Sequence, residues 1–133
     1  MSVLVPRCLS DIKNIDPEFA KTNAMCWKHV WNNQENNIPH KYKYLMAFCT
    51  AVGSGRLPQA ARELTKAYGE GASYEEIVET LDMLVWNMGV PYFTSEFKAS
   101  TAMKVFEKIK RDVEAGLSRE KTVPNIKAEI IQT

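Results

Sequence analysis

Apolar residues recur every three or four positions through most of the 133-residue chain, and the gaps between these runs hold the residues that start and stop helices. Asp16-Pro17 predicts a helix with Asp at the N-cap and Pro at the first position, running to about Asn32. The polar stretch "NNQENNIP" (32–39) reads as a loop. A second helix covers "HKYKYLMAFCTAV" until Gly53-Ser54-Gly55 stops it, and a third carries Pro58 in its first turn and ends near Gly69. Ser73-Tyr-Glu-Glu76 has the spacing of a capping box, and the helix after it places Ile77, Leu81, Leu84 and Val85 on one stripe with Val78 beside it.

Gly89-Val90-Pro91 breaks the pattern before a long fifth helix, about 92–115, on which Phe93, Phe97, Met103, Phe106, Ile109 and Val113 recur at near-helical spacing until Gly116. The last residues, "SREKTVPNIKAEIIQT", have no strong period and read as an arm. No alternating strand pattern, repeat or low-complexity tract interrupts this sequence of elements. The expectation is all-α: a bundle of about five or six helices in a single domain, 1–133, with its core in about 16–116 and an arm at each end.

Composition narrows the partners. Hydrophobic residues make up 45% and charged residues 25%, and seventeen basic against sixteen acidic residues leave a net charge of +1. Such a balance gives no reason to expect nucleic acid or an anionic membrane as partner. No apolar run approaches the ~20 residues of a membrane span, and "MSVLVPRCLSDIK" lacks the layout of a signal peptide. Cys8, Cys26 and Cys49 are odd in number and far apart, so a reducing, cytoplasmic setting is expected.

The order of these signals is similar to a known family. "KYKYLMAFCTAVGSG", then "AARELTKAYGEGASYEEIVETL", then "VWNMGVPYF" resemble the carboxymuconolactone decarboxylase family, which includes the alkyl hydroperoxidase D-like proteins. Upstream, "HVWNN" is similar to a valine–tryptophan pair of the decarboxylase branch, so the resemblance spans roughly 25–97. It implies an alkyl hydroperoxidase D-like helical bundle assembled as a trimer or hexamer. The redox branch uses Cys-x-x-Cys-x-x-x-His with an earlier glutamate. Those positions fall here on Arg56, Gln59, Glu63 and Tyr44. A dithiol peroxidase cycle needs an activated thiolate and a resolving thiol, and neither is present there. The decarboxylase branch has a Gly-Arg-x-x-(Glu/Gln)-x-x-x-His pattern, of which "GRLPQAARE" keeps Gly55, Arg56 and Gln59 but ends on Glu63.

On an ideal helix Arg56, Gln59 and Glu63 fall within about 60° of one another, beside an apolar stripe of Ala60, Leu64, Ala67 and Tyr68. Arg56 near the helix N-terminus suits a carboxylate, Gln59 can orient it, and Glu63 at an apolar edge can carry a proton. Trp31, Tyr44 and Trp86 are candidate pocket walls. Each has a plainer reading. Glu63 and Lys66 at i,i+3 also describe an exposed, charge-laced helix face, Arg56 can simply pair with a carboxylate, and the aromatics can be core or subunit contacts.

Cys26-x-x-His29 supplies two metal ligands without a third, His40 follows Pro39 in a first helical turn, and Cys49 reads as a small buried hydrophobe. No nucleophile elbow, P-loop or dinucleotide fingerprint is present, so no metal or cofactor is expected. The leading expectation is a lyase-like enzyme acting on a small carboxylated metabolite, a lactone or keto acid. The alternatives are a non-catalytic ligand-binding or assembly protein, and peroxiredoxin-type activity, which the missing CxxC disfavours.

Overall fold

Asp16 opens the first long helix as its spacing predicts: its Oδ1 accepts the backbone N–H of Glu18 at 3.0 Å and of Phe19 at 3.3 Å. The computed structural model describes residues 7–31 and 35–132, and the predicted end of this helix at Asn32 and the start of the polar loop lie outside them. Among the described residues the order is α1 (Arg7–Ile15), α2 (Pro17–Trp31), α3 (His40–Gly53), α4 (Leu57–Gly69), α5 (Tyr74–Met88), a single turn α6 (Val90–Tyr92), α7 (Thr101–Glu114) and α8 (Arg119–Glu129). The fold is all-α, but eight helices replace the expected five or six. No helix among the described residues is long and apolar enough to cross a membrane.

The capping box at α5 is complete. Ser73 Oγ accepts Glu76 N–H at 3.0 Å and Glu76 Oε1 accepts Ser73 N–H at 2.9 Å. The Ser73 backbone bond, with Lys41 at 3.2 Å, holds the Glu76 carboxyl below its ordinary pKa. Just before the box, Ala72 N–H reaches back to Ala67 O at 2.9 Å across Gly71, whose φ of 108° places it in the region glycine adopts without strain. Gly116 closes α7 in the same way, at φ 75°, with Leu117 N–H on Asp112 O at 2.8 Å.

The structure departs from the sequence reading in three places. The stretch before Asp16, expected as an arm, is the amphipathic helix α1, which packs on α2 and buries none of its residues. The long fifth helix is broken. Lys98 N–H bonds to Phe93 O at 2.9 Å, a wide turn of i→i+5 spacing that stacks Phe93 on Phe97 at 5.2 Å. Ser100 then restarts the chain as the N-cap of α7, accepting Met103 N–H at 3.3 Å. The restart changes the phase, so Ala102, Val105, Ile109 and Asp112 are the buried positions, while Val113 is 37% exposed.

The third departure is the C-terminal stretch, which is a helix rather than an arm. Pro124 interrupts its pattern on an exposed position, and Thr122, Val123 and Ile126 are buried against α4 and α7. Arg119 at its start donates to Tyr68 O and, at 3.0 Å, to Ala72 O, with its guanidinium over the Tyr68 ring. It thereby satisfies carbonyls at the C-terminal end of α4 and complements the helix dipole. Thr122 Oγ1 donates to Asp112 Oδ2 at 2.8 Å, and Lys108 holds the other oxygen at 3.1 Å.

Packing centres on α4, which lies against α3, α7 and α8. Ala60, Ala61, Leu64, Thr65 and Ala67 are fully buried there, together with Phe48 of α3, Ile77 of α5 and Ile109 of α7. Small residues on α4 let its neighbours approach closely, which is why a short chain can surround one helix. Ile126→Ala should cost about 2–5 kcal/mol in urea unfolding, because the residue is fully buried. A tail that served only as an arm would show no change.

Candidate functional site

Four side chains of α4, Gln59, Arg62, Glu63 and Lys66, share one face because their spacing of three and four residues brings them to one stripe. That face forms the floor of a cavity of about 400 Å³. Tyr44 and Ala47 of α3, Trp27 and Trp31 of α2, and Arg7 and Cys8 of α1 complete its lining. Trp31 stacks on Tyr44 with ring centroids 4.5 Å apart and planes 17° off parallel, and the edge of His40 meets Tyr44 at 6.1 Å. The end of α2 is fixed by Lys43, which donates to Val30 O, and by Asn36, which donates to the same carbonyl at 2.9 Å. The aromatic wall is therefore anchored by contacts across helices rather than by α2 alone.

Glu63 and Lys66 form an ion pair of 3.1 Å with only 9% of each side chain exposed. The Lys66 ammonium also sits 5.7 Å from the centre of the Tyr44 ring. One carboxylate oxygen of Glu63 is thus committed to Lys66. The other, Oε2, is buried without a hydrogen-bond partner among the described residues. An unsatisfied buried carboxylate oxygen costs stability and has capacity to accept a proton or a hydrogen bond from a ligand. Burial first, and then the nearby Arg7 guanidinium, lower the pKa of Arg62, with Glu63 acting in the opposite direction. Three cationic side chains and one carboxylate line the cavity, so its electrostatic preference is for an anion.

The structure brings Gln59, Glu63, Tyr44 and Trp31 of the sequence-predicted set together. Arg56 and Trp86 lie outside the lining. Arg56 is the N-cap of α4, exposed, at φ −91° and ψ 67°, so the helical phase that grouped it with Glu63 does not reach it. Trp86 stands 87% exposed on α5. Arg62, Lys66, Trp27 and Arg7 were not expected at a site. Gln59, Arg62, Glu63 and Lys66 at i, i+3, i+4 and i+7 are a legible stripe, but charged residues in that pattern ordinarily face solvent. The expected Glu63–Lys66 pair does form, but it is buried rather than exposed.

All three cysteines are free thiols. Cys49 is half-buried and its burial raises the thiol pKa, the reverse of what activates a thiolate. No group of three or more His, Cys, Asp or Glu side chains among the described residues could hold a metal ion, and Cys26 is exposed on α2 beside an exposed His29. Comparison with known proteins finds no matching family model, no matching curated protein and no matching solved structure. Function has to be argued from the cavity itself.

The pair gives a direct test. Glu63→Gln leaves the buried Lys66 ammonium without its partner and should cost about 3–5 kcal/mol, whereas Lys66→Met leaves Glu63 beside Arg62 and should cost less. The double substitution should recover most of that loss. Urea unfolding of the four proteins in the cycle measures the coupling, and additive losses would mean that the two groups do not compensate each other.

Proposed function

We propose that this chain is a carboxymuconolactone decarboxylase-like protein that works as a lyase on a small organic acid held in the α1–α4 cavity. The observation that carries the reading is the buried Glu63–Lys66 pair, with its unsatisfied carboxylate oxygen, in a cavity that also holds two guanidinium groups. Arg62 and Arg7 supply the carboxylate anchor that the sequence assigned to Arg56. Gln59 orients the bound acid, and Trp27, Trp31 and Tyr44 cover it and exclude water.

In such a site the bond between the substrate's α-carbon and its carboxylate breaks, and CO2 leaves. The electron pair passes into a neighbouring carbonyl as an enolate, which the Lys66 ammonium stabilises. A proton from the Glu63–Lys66 pair then goes to the carbanionic carbon, and solvent returns one proton to the pair. A non-catalytic binding protein would need the same anchor without the proton carrier, so Glu63 separates the two readings. Glu63→Gln should abolish CO2 release from carboxylated lactones and keto acids, while those acids still raise the melting temperature. If the variant turns over like the wild type, the lyase reading fails.

Assembly belongs to the same proposal. Met83, Trp86 and Val90 stand 60%, 87% and 62% exposed on neighbouring turns of α5 and α6, an apolar patch suited to a second copy of the chain. A homotrimer or hexamer in a reducing cytoplasm is the state we propose. Light scattering at micromolar concentration should give a multiple of the 15.1 kDa chain mass, and Trp86→Arg should shift it toward the monomer. A monomer mass for the wild type would refute the assembly.

A further inference from the structure

Helix α5 has two unlike faces. Ile77 and Leu81 pack inward, while Glu75, Glu79, Asp82, Met83 and Trp86 are all exposed. On an ideal helix these five fall within about 100° of one another. The helix contains no Lys, Arg or His, and no ion pair among the described residues engages these three carboxylates. The surface that a second copy would cover is therefore acidic as well as apolar.

Such a face does not suit a copy of itself. In a two-fold contact between α5 helices the carboxylates would meet the partner's carboxylates or its Trp86, and both are unfavourable. The complement is a surface that is cationic and apolar together, and α2 carries one. Lys21, Met25 and Lys28 are exposed and share a stripe at spacings of four and three residues. Phe19 and Val30 are exposed on the same helix, and Ala20 is the one residue that it buries. Lys21 pairs only with exposed Glu18, at 3.2 Å, a weak contact that can exchange for another. Both α2 and α5 run for 15 residues, so the two faces match in length. Helix α7 also exposes Lys104 and Lys110, but Val113 is its one exposed large hydrophobic residue.

We infer that the α5 face of one copy packs on α2 of the next, a head-to-tail contact between two different surfaces. The inference rests on the assembly proposed above and names the second surface. Met83 and Trp86 lie on Met25, and Glu79 and Asp82 face the lysines. Asp82 is four residues from Trp86, while Lys21 and Lys28 are four and three residues from Met25. A lysine therefore comes level with Asp82 whichever way the two helices run. Each copy uses both of its faces, which a closed ring satisfies. Because α2 also carries Trp27 and Trp31, the neighbour braces a helix that lines the cavity.

Charge reversal tests the pairing, read by light scattering at micromolar concentration, with circular dichroism to show that each variant folds. Glu79→Lys/Asp82→Lys and Lys21→Glu/Lys28→Glu each set like charges against one another and should each lower the mass toward that of one chain. All four substitutions together should restore the wild-type mass. Glu79→Lys/Asp82→Lys combined with Lys104→Glu/Lys110→Glu on α7 has the same net charge as the fourfold variant and should stay dissociated. An oligomer that ignores both reversals, a fourfold variant that fails to reassemble, or equal rescue through α7 would each overturn the α2 contact. In those cases dissociation by Trp86→Arg would leave the assembly through α5 and α6 standing. A monomeric wild type would overturn both.

Discussion

Helix α4 is enclosed by its neighbours, and most of the architecture follows from that constraint. Between Ala60 and Tyr68 every residue except the half-buried Arg62 is buried. Alanines at 60, 61 and 67 let α3, α7 and α8 approach the helix. A surrounded helix cannot turn its polar residues to water. Thr65 bonds back to Ala61 O at 2.8 Å, and Glu63 finds Lys66 within its own turn. The C-terminal carbonyls, which a surface helix would leave to solvent, are taken by Gly71, Ala72 and Arg119.

The same enclosure makes the polar face of α4 chemically interesting. An ion pair at the surface is worth little, whereas one with both side chains 91% buried is sensitive to every neighbour. Here the neighbours are Tyr44, whose ring faces the Lys66 ammonium, and Arg62, whose own charge is disfavoured by burial and by Arg7. Among the described residues that line the cavity, three are cationic and one is a carboxylate. Its natural complement is a carboxylate, and the adjoining aromatic wall suits an organic one. Burial raises the pKa of the half-buried Cys49 thiol, the direction opposite to thiolate activation.

Helix α1 and the C-terminal residues were the least conspicuous parts of the chain, yet both take part in the cavities. Arg7 and Cys8 line the α1–α4 cavity from a helix that buries none of its own residues. Ile130 and Ile131 line a second, adjoining cavity from beyond α8, whose position is fixed by the Arg119 contact with α4 and the Thr122–Asp112 bond. Both ends of the described chain thus shape the space around the charged stripe.

The sequence by itself determined what is encoded within a few residues. Asp16-Pro17, Gly53-Ser54-Gly55, Pro58, Gly69 and the Ser73–Glu76 box place helix ends because each acts on its own turn of backbone. The apolar stripe of α4 and the all-α class follow from periodicity in the same way. Tertiary structure decided the rest. Whether Ser100 restarts a helix, and whether a tail with Pro124 in it folds, depended on packing of Phe97, Val123 and Ile126 against distant residues. That Glu63 and Lys66 are buried, and share a cavity with Trp27, Trp31 and Tyr44, was set by neighbouring helices. Arg62 rather than Arg56 reaches the cavity because Arg56 stands before the first helical residue, where helical phase no longer applies. Periodicity records which residues share a face, and only the neighbouring helices determine what that face meets.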